Sequence, residues 1–268
     1  MSMPSQPLPW PENAPAVPLA QARPVLDRLA SLAARFPRDL ELVPGLAQAD
    51  GEITADPPHS IEQVVDELGG VRRHGAAELD LLLEERADVG PYTLMGSATT
   101  FYPIYESGEM AVILTIGADG SAGAVYGIGE DLALQLAGRD LVDYLGRLAD
   151  ALETVLAGLD ERVRAERGAD RVDDEDARAE VAEQALEEVL YRDVLGMRHL
   201  DEFPEVALVD PETAGITDLP PGTLAVADLR DAPLGARVDV IDADLPGDPL
   251  DRHLEWRANG LVVCIVQD

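Results

Sequence analysis

The apolar positions change period along the chain, and each change predicts a different kind of element. Val25, Leu26, Leu29, Leu32 and Ala33 recur at helical spacing until Pro37, which predicts a first helix over that run. Asp39 to Ala47 reads as a short second helix, with a turn at Asp50-Gly51. After Pro57-Pro58, Ser60 is placed as the N-cap of a helix through Leu68, with Gln63 at the third helical position as in a capping box and Gly69-Gly70 as the stop. The period then shortens. Tyr92-Thr-Leu-Met, Phe101-Tyr-Pro-Ile-Tyr, Met110-Ala-Val-Ile-Leu-Thr-Ile and Ala124-Val-Tyr-Gly-Ile are β-branched and aromatic runs punctuated by Ser107-Gly108 and Asp119-Gly120. They predict three or four antiparallel strands joined by tight turns. Pro103 puts its strand at a sheet edge or at a bend, because proline cannot donate to a ladder.

Helical spacing returns with Leu141, Tyr144, Leu145, Leu148, Leu152, Val155, Leu156 and Leu159, opposite a face carrying Asp143, Arg147, Asp150 and Glu153. From Asp160 to Asp176 the chain turns polar and reads as a linker. Asp173 or Asp174 is suited to cap the next helix, since carboxylates favour helix N-termini. That helix is expected to reach about Leu195 and to bury Val181, Ala185, Leu186, Val189 and Leu190. Beyond it, Val206-Ala-Leu-Val, Thr223-Leu-Ala-Val-Ala, Arg237-Val-Asp-Val-Ile and Leu261-Val-Val-Cys-Ile-Val are strand-like, separated by Pro-Pro-Gly and Pro-Gly-Asp turns. The unbroken apolar run Leu261 to Val266 predicts a strand buried on both faces. This stretch is either a second small β-rich domain or a β extension of the first.

Composition narrows the function classes. There are 52 acidic residues against 20 basic ones, a formal charge of -32, and every basic residue is Arg. Arg, Ala, Gly and Pro share GC-rich codons, so genome composition accounts for the missing Lys. The acidity reads as a solvated surface, as adaptation to a high-salt cytoplasm, or as attraction for a basic partner that charge steers into place. Direct nucleic-acid binding is disfavoured, because no arginine cluster longer than Arg72-Arg73 exists to displace counterions. No apolar run reaches membrane-spanning length, the N-terminus lacks the pattern of a secretory signal, and the single cysteine forms no internal disulfide. A cytoplasmic location is therefore expected, and the oligomeric state is not legible in the sequence. Residues 1–24 hold seven of the 20 prolines and one acidic residue, Glu12, which predicts an extended arm. Trp10 either docks that arm on a surface or belongs to a disordered tail.

No catalytic set stands out along the chain. His59, His74, His199 and His253 are scattered singly, and Asp201 and Glu202 beside His199 fall short of a converging ligand set. Cys264 sits in an apolar strand, where burial makes a thiol inert. Asp242, Asp244 and Gly247 begin like a calcium loop, but Pro246 replaces a ligand and His253 stands where a bidentate Glu is needed. Gly127-Ile-Gly129 lacks the third glycine of a dinucleotide site, and a phosphate-binding P-loop is impossible without Lys. Catalytic, cofactor and metal residues are thus expected to be absent.

Tyr92 to Leu159 resembles the second half of a SUKH-superfamily domain. The match runs through Tyr-Thr-Leu-Met-Gly, Met110-Ala-Val-Ile-Leu-Thr-Ile, the Asp119-Gly120 turn, Ala124-Val-Tyr-Gly-Ile and Leu136-Ala-Gly-Arg-Asp-Leu-Val-Asp-Tyr-Leu. Arg139-Asp140 stands where the family usually has Ser, which passes a capping role to Asp140. Phe36-Pro37-Arg38-Asp39-Leu40 and Asp50-Gly51 resemble the family's first half without its aromatic after the proline. The resemblance implies an α+β fold whose central, mainly antiparallel sheet is flanked by helices. The expected organisation is a Pro-rich arm (1–24), a SUKH-like α+β domain (25–160), a polar linker and helix (161–200) and a β-rich C-terminal region (201–268). Many bacterial members are immunity proteins that neutralise toxins, others are interaction modules, and the family carries no catalytic set.

The reading that follows is a non-enzymatic protein-binding module, of the immunity type, that neutralises a basic toxin domain by stoichiometric binding. Acidic side chains steer association and a modest apolar patch supplies affinity. The candidate contacts are Asp173, Asp174, Glu175 and Asp176 in the acidic run and Tyr102, Tyr105 and Glu106 in the strand before Ser107. Two alternatives stand beside it: a scaffolding subunit of a larger assembly, and a carboxylate-based, metal-dependent hydrolase.

Overall fold

Helix α1, Leu19–Arg35, begins before the prolines of the arm end. Pro24 lies inside it, in the second turn, where it removes one backbone donor, and Ala22, Val25, Leu26, Leu29 and Leu32 form its buried face. The computed structural model describes residues 10–11, 13–48, 56–82, 99–106, 110–129, 132–186, 188–189, 204–240, 245–248 and 251–267. The expected strand Tyr92–Met95 and the turns at Asp50-Gly51 and Ser107-Gly108 lie outside these residues. Ahead of α1 the described part of the arm is tied down. The Trp10 indole donates to the Asp56 carbonyl (2.7 Å) and its ring meets Tyr102 edge-on, with centroids 6.2 Å apart. The Val17 N–H donates to the Ser60 carbonyl at 2.7 Å.

Two expected helices are replaced by a three-stranded sheet. Within Asp39 to Ala47 the chain forms strand β1, Glu41–Pro44, because Val43 and Pro44 suit an edge strand and so short a segment cannot nucleate a helix alone. Helix α2 is a single turn, Glu62–Val65, with Ile61 rather than Ser60 at its N-cap; the Ser60 hydroxyl is buried without a partner. Gly69 and Gly70 do not stop a helix but lie in strand β2, Leu68–Arg73. A Cβ on Gly69 would sit 2.3 Å from the Pro44 carbonyl oxygen, and one on Gly70 2.5 Å from that of Leu79. The glycines let the flanking backbones close in. β2 turns into β3, Ala76–Asp80, through His74-Gly75, both with positive φ (47° and 87°), the backbone of a tight two-residue hairpin. The sheet order is β1-β2-β3, antiparallel throughout.

The predicted meander follows: β4 (Phe101–Glu106), β5 (Ala111–Ile116), β6 (Ala122–Ile128) and β7 (Leu134–Gly138), all antiparallel. β4 is the edge strand, and its register slips between Pro103 and Tyr105, so Pro103 marks both an edge and a bulge. Leu136 to Gly138, which the resemblance reads as the start of a helix closing the domain, is strand. That helix, α3 (Leu141–Arg167), starts where the Asp140 carboxylate accepts from the Asp143 N–H at 2.7 Å. It continues eight residues past Leu159, because Val163 extends the apolar stripe, so the expected linker begins as helix. Gly168, with φ of 104°, ends it. After a 3-10 turn, Asp174 caps α4 (Glu175–Leu186), accepting from the Ala177 N–H at 3.0 Å. Val181, Ala185 and Leu186 are buried as expected; Leu190 and Leu195 lie outside the described residues.

In the C-terminal region, Val206 to Val209 forms no strand, only isolated bridges from Glu205 to Arg237 and from Val209 to Val226. β8 (Thr223–Asp228) and the short β9 (Arg237–Val238) occupy two of the expected positions. β9 pairs with β7 and becomes the fifth strand of the meander sheet. β10 (Arg252–Arg257), which the sequence pattern did not reveal, pairs with β11 (Val262–Gln267), the centre of the sheet β10-β11-β8. β11 is buried on both faces. One side joins Phe101, Ile113, Tyr126 and Trp256, and the other packs Cys264 and Val266 under Ile216 and Leu219. At the junction Tyr126 stacks on Trp256 (5.8 Å), its hydroxyl donates to the Gly260 carbonyl (2.6 Å), and the Trp256 indole donates to that of Thr100 (2.6 Å). The whole is an α+β fold with a β-rich C-terminal region sharing a core with the central sheet.

Candidate functional site

Six charged or titratable side chains from four distant segments meet where α4 lies on the body. Asp39, just before β1, is 3% exposed and Arg178, on α4, is 6% exposed. Arg178 grips Asp39 through two parallel bonds, Nε to Oδ1 (2.9 Å) and Nη2 to Oδ2 (2.8 Å). Its remaining nitrogen donates to Asp160 of α3 and to the Val172 carbonyl. Beside this pair, the β2–β3 hairpin supplies Arg73, His74 and Glu78. Arg73 Nε donates to Glu78 Oε1 at 2.8 Å and its Nη1 to the Ala179 carbonyl of α4 at 3.1 Å. The hairpin thereby bonds to α4 through a cation that its own carboxylate balances.

The electrostatics follow from burial. Glu78 is pushed up to about 7 by desolvation, against the pull of Arg73 and with a push from Glu183 on α4. Burial likewise lowers His74; Asp39 opposes the shift, while Arg73 and Arg178 add to it. His74 Nε2 lies 3.3 Å from Asp39 Oδ1, yet out of line for a hydrogen bond, so the contact is one of proximity. The neutral imidazole adds no third cation to a site that already holds two. What the cluster does chemically is fix the seat of α4.

The residues expected from sequence to contact a partner fall into two separate places. Asp173, Asp174, Glu175 and Asp176 form the turn into α4. Asp173 is exposed and bonds Arg38 at 3.1 Å, Asp174 is occupied by capping and by Arg171 (3.1 Å), and Glu175 and Asp176 face solvent. Tyr102, Tyr105 and Glu106 lie on β4. Tyr102 is buried and donates to the Leu81 carbonyl at 2.8 Å, a core role, whereas Tyr105 and Glu106 are half-buried. The other candidates stay apart. His59 lies 3.6 Å from Glu62, His253 lies 3.5 Å from Glu255, and His199, Asp201 and Glu202 lie outside the described residues. Cys264 is fully buried and its thiol is pushed up to about 11 by desolvation. Of the calcium-like turn, Leu245 to Asp248 are described, and the carbonyls of Leu245, Pro246 and Gly247 accept from the Arg252 guanidinium. Among the described residues no three His, Cys, Asp or Glu side chains gather as metal ligands would.

Arg178 had a legible signal, since it is a charge on the apolar stripe of its helix beside Ala177, Val181 and Ala185. Its partner Asp39, 139 residues away, had none. No protein-family model matches the chain, and no curated protein or solved structure shows significant similarity to it. No described helix is long and apolar enough to cross a membrane.

Proposed function

We propose that the protein is a non-enzymatic binder of a basic protein surface, and that the outer side of the α3–α4 corner is the face it presents. What supports the reading is the disposition of charge. Between residues 160 and 188 there are twelve carboxylates against five arginines. Four of those arginines are engaged by the chain's own acceptors, Arg162 by Glu188, Arg167 by Glu180, Arg171 by Asp174 and Arg178 by Asp39, and the fifth, Arg164, is exposed. The excess, including Glu161, Glu166, Asp170, Glu175, Asp176 and Glu183, is exposed. An uncompensated carboxylate field accelerates encounter with a cationic partner and repels an anionic one. Val209 is the sole exposed large hydrophobic among the described residues, so affinity at this face rests on polar contacts rather than on the apolar patch the sequence suggested.

Within this class the SUKH resemblance favours an immunity-type role, stoichiometric neutralisation of a basic toxin domain. The scaffold alternative loses support from Trp10, which the arm uses to bind its own chain. The test is affinity capture followed by kinetics. Bound partners are expected to be more basic than the proteome average, with association slowing as salt rises and in Glu175→Gln/Asp176→Asn. Partners no more basic than that average would refute the charge argument.

A further inference from the structure

We infer that α4 is a detachable clasp, seated by the two buried arginines and released as a unit while the rest of the fold stays intact. The first ground is the poverty of its apolar face. α4 buries Ala177, Val181, Ala182, Ala185 and Leu186, three of the five being alanine, whereas α3 buries six leucines, Tyr144 and four other apolar residues. Burial free energy scales with apolar area, so α4 holds on by far less than α3. The second ground is that its strongest contacts are buried ion pairs. Such pairs fix position but add little net free energy, because separating them returns desolvated charges to water. Arg178–Asp39 and the Arg73 bond to the Ala179 carbonyl therefore define where α4 sits more than how tightly. Third, the outer ties Arg167–Glu180, Arg162–Glu188 and Arg38–Asp173 are half-exposed or more and weaken with salt. Finally, Gly168 lies between α3 and α4 with φ of 104°, a backbone state that glycine enters and leaves without a Cβ penalty, which makes it the hinge.

Release would uncover Asp39, Arg73, His74, Glu78 and Arg178 together, converting a closed charge network into an open cleft lined by both signs. The groups facing that network are Arg73, His74 and Glu78 from the hairpin, Asp39 before β1, Asp160 from α3, and Glu175, Arg178 and Glu183 from α4.

Native-state hydrogen exchange of the full chain, read by mass spectrometry across low urea concentrations, tests it. Amides of Val181–Leu186 are expected to exchange about a hundredfold faster than those of Leu145–Leu156, with a shallower urea dependence, as for a sub-global opening. Arg178→Met is expected to speed the α4 amides further while leaving the α3 amides in proportion to global stability. Equal protection and equal urea slopes for α3 and α4 in the wild-type chain would overturn the clasp, whatever the variant does.

Discussion

The docking of the β10–β11 turn onto the central sheet gives a sharp test, because two glycines with the same backbone handedness sit in opposite surroundings. Gly260 (φ 80°) follows Ala258 and Asn259, also left-handed, and its carbonyl accepts from the buried Tyr126 hydroxyl. A Cβ there would lie 2.1 Å from Thr115 Oγ1 and 2.8 Å from the Ala124 nitrogen, which is backbone and cannot swing aside. Gly75 (φ 87°) has nothing within 4 Å. Alanine at either position costs the left-handed strain of about 1–2 kcal/mol. At Gly260 overpacking adds about 1–3 kcal/mol, so Gly260→Ala should lose roughly 2–5 kcal/mol in total. Gly75→Ala should lose only the strain. Urea unfolding at equal m-values measures both, and the difference isolates the packing of the C-terminal hairpin against β5 and β6. If Gly260→Ala cost no more than Gly75→Ala, the close approach of the turn to Thr115 would be wrong, and with it the joint between the two sheets.

Further outcomes follow from the buried groups and caps. Glu78 is raised from 4.5 to about 7, so the folded state binds its proton more tightly, and its contribution to stability falls by up to about 3 kcal/mol as pH rises from 4.5 to 7. His74 is lowered from 6.5, so its contribution is lost as pH falls below 6.5, opposing Glu78 where the two ranges overlap. His74→Asn should therefore show stability falling from pH 5 to 7, and Glu78→Gln the reverse trend; parallel profiles in the two variants would contradict the assignment. Cys264, buried with its thiol pushed up to about 11, should resist a maleimide at pH 7.5 until urea unfolds the chain, and rapid labelling of native protein would show it exposed. Asp140→Ala should cost about 1 kcal/mol in urea unfolding through loss of the cap on α3, and Asp140→Ser should restore most of it.

What the sequence made legible was local. Asp140 and Asp174 cap their helices because a carboxylate two or three residues ahead of a free N–H is decided within one turn. Pro103 named its own place at the edge because its missing donor is intrinsic to the residue. Gly69 and Gly70 misled for the opposite reason: the carbonyls that forbid a side chain there belong to Pro44 and Leu79 in neighbouring strands. Ser60 and Gln63 matched a capping box, but the demand of β2 for extended chain from Leu68 left room for only one helical turn. The buried network depends on tertiary contacts between Asp39, the hairpin and α4, so only its oddest member, a charge on an apolar stripe, showed in the pattern.

The placement of the two tryptophans makes the molecule its own optical reporter. Trp10 touches Tyr102 where the arm meets the edge of the central sheet, while Trp256 stacks on Tyr126 where the C-terminal sheet meets the same sheet from the other side. A chain retaining one indole or the other would emit from one joint alone. Peeling of the arm and parting of the sheets would then be read as separate changes in a single fluorescence channel.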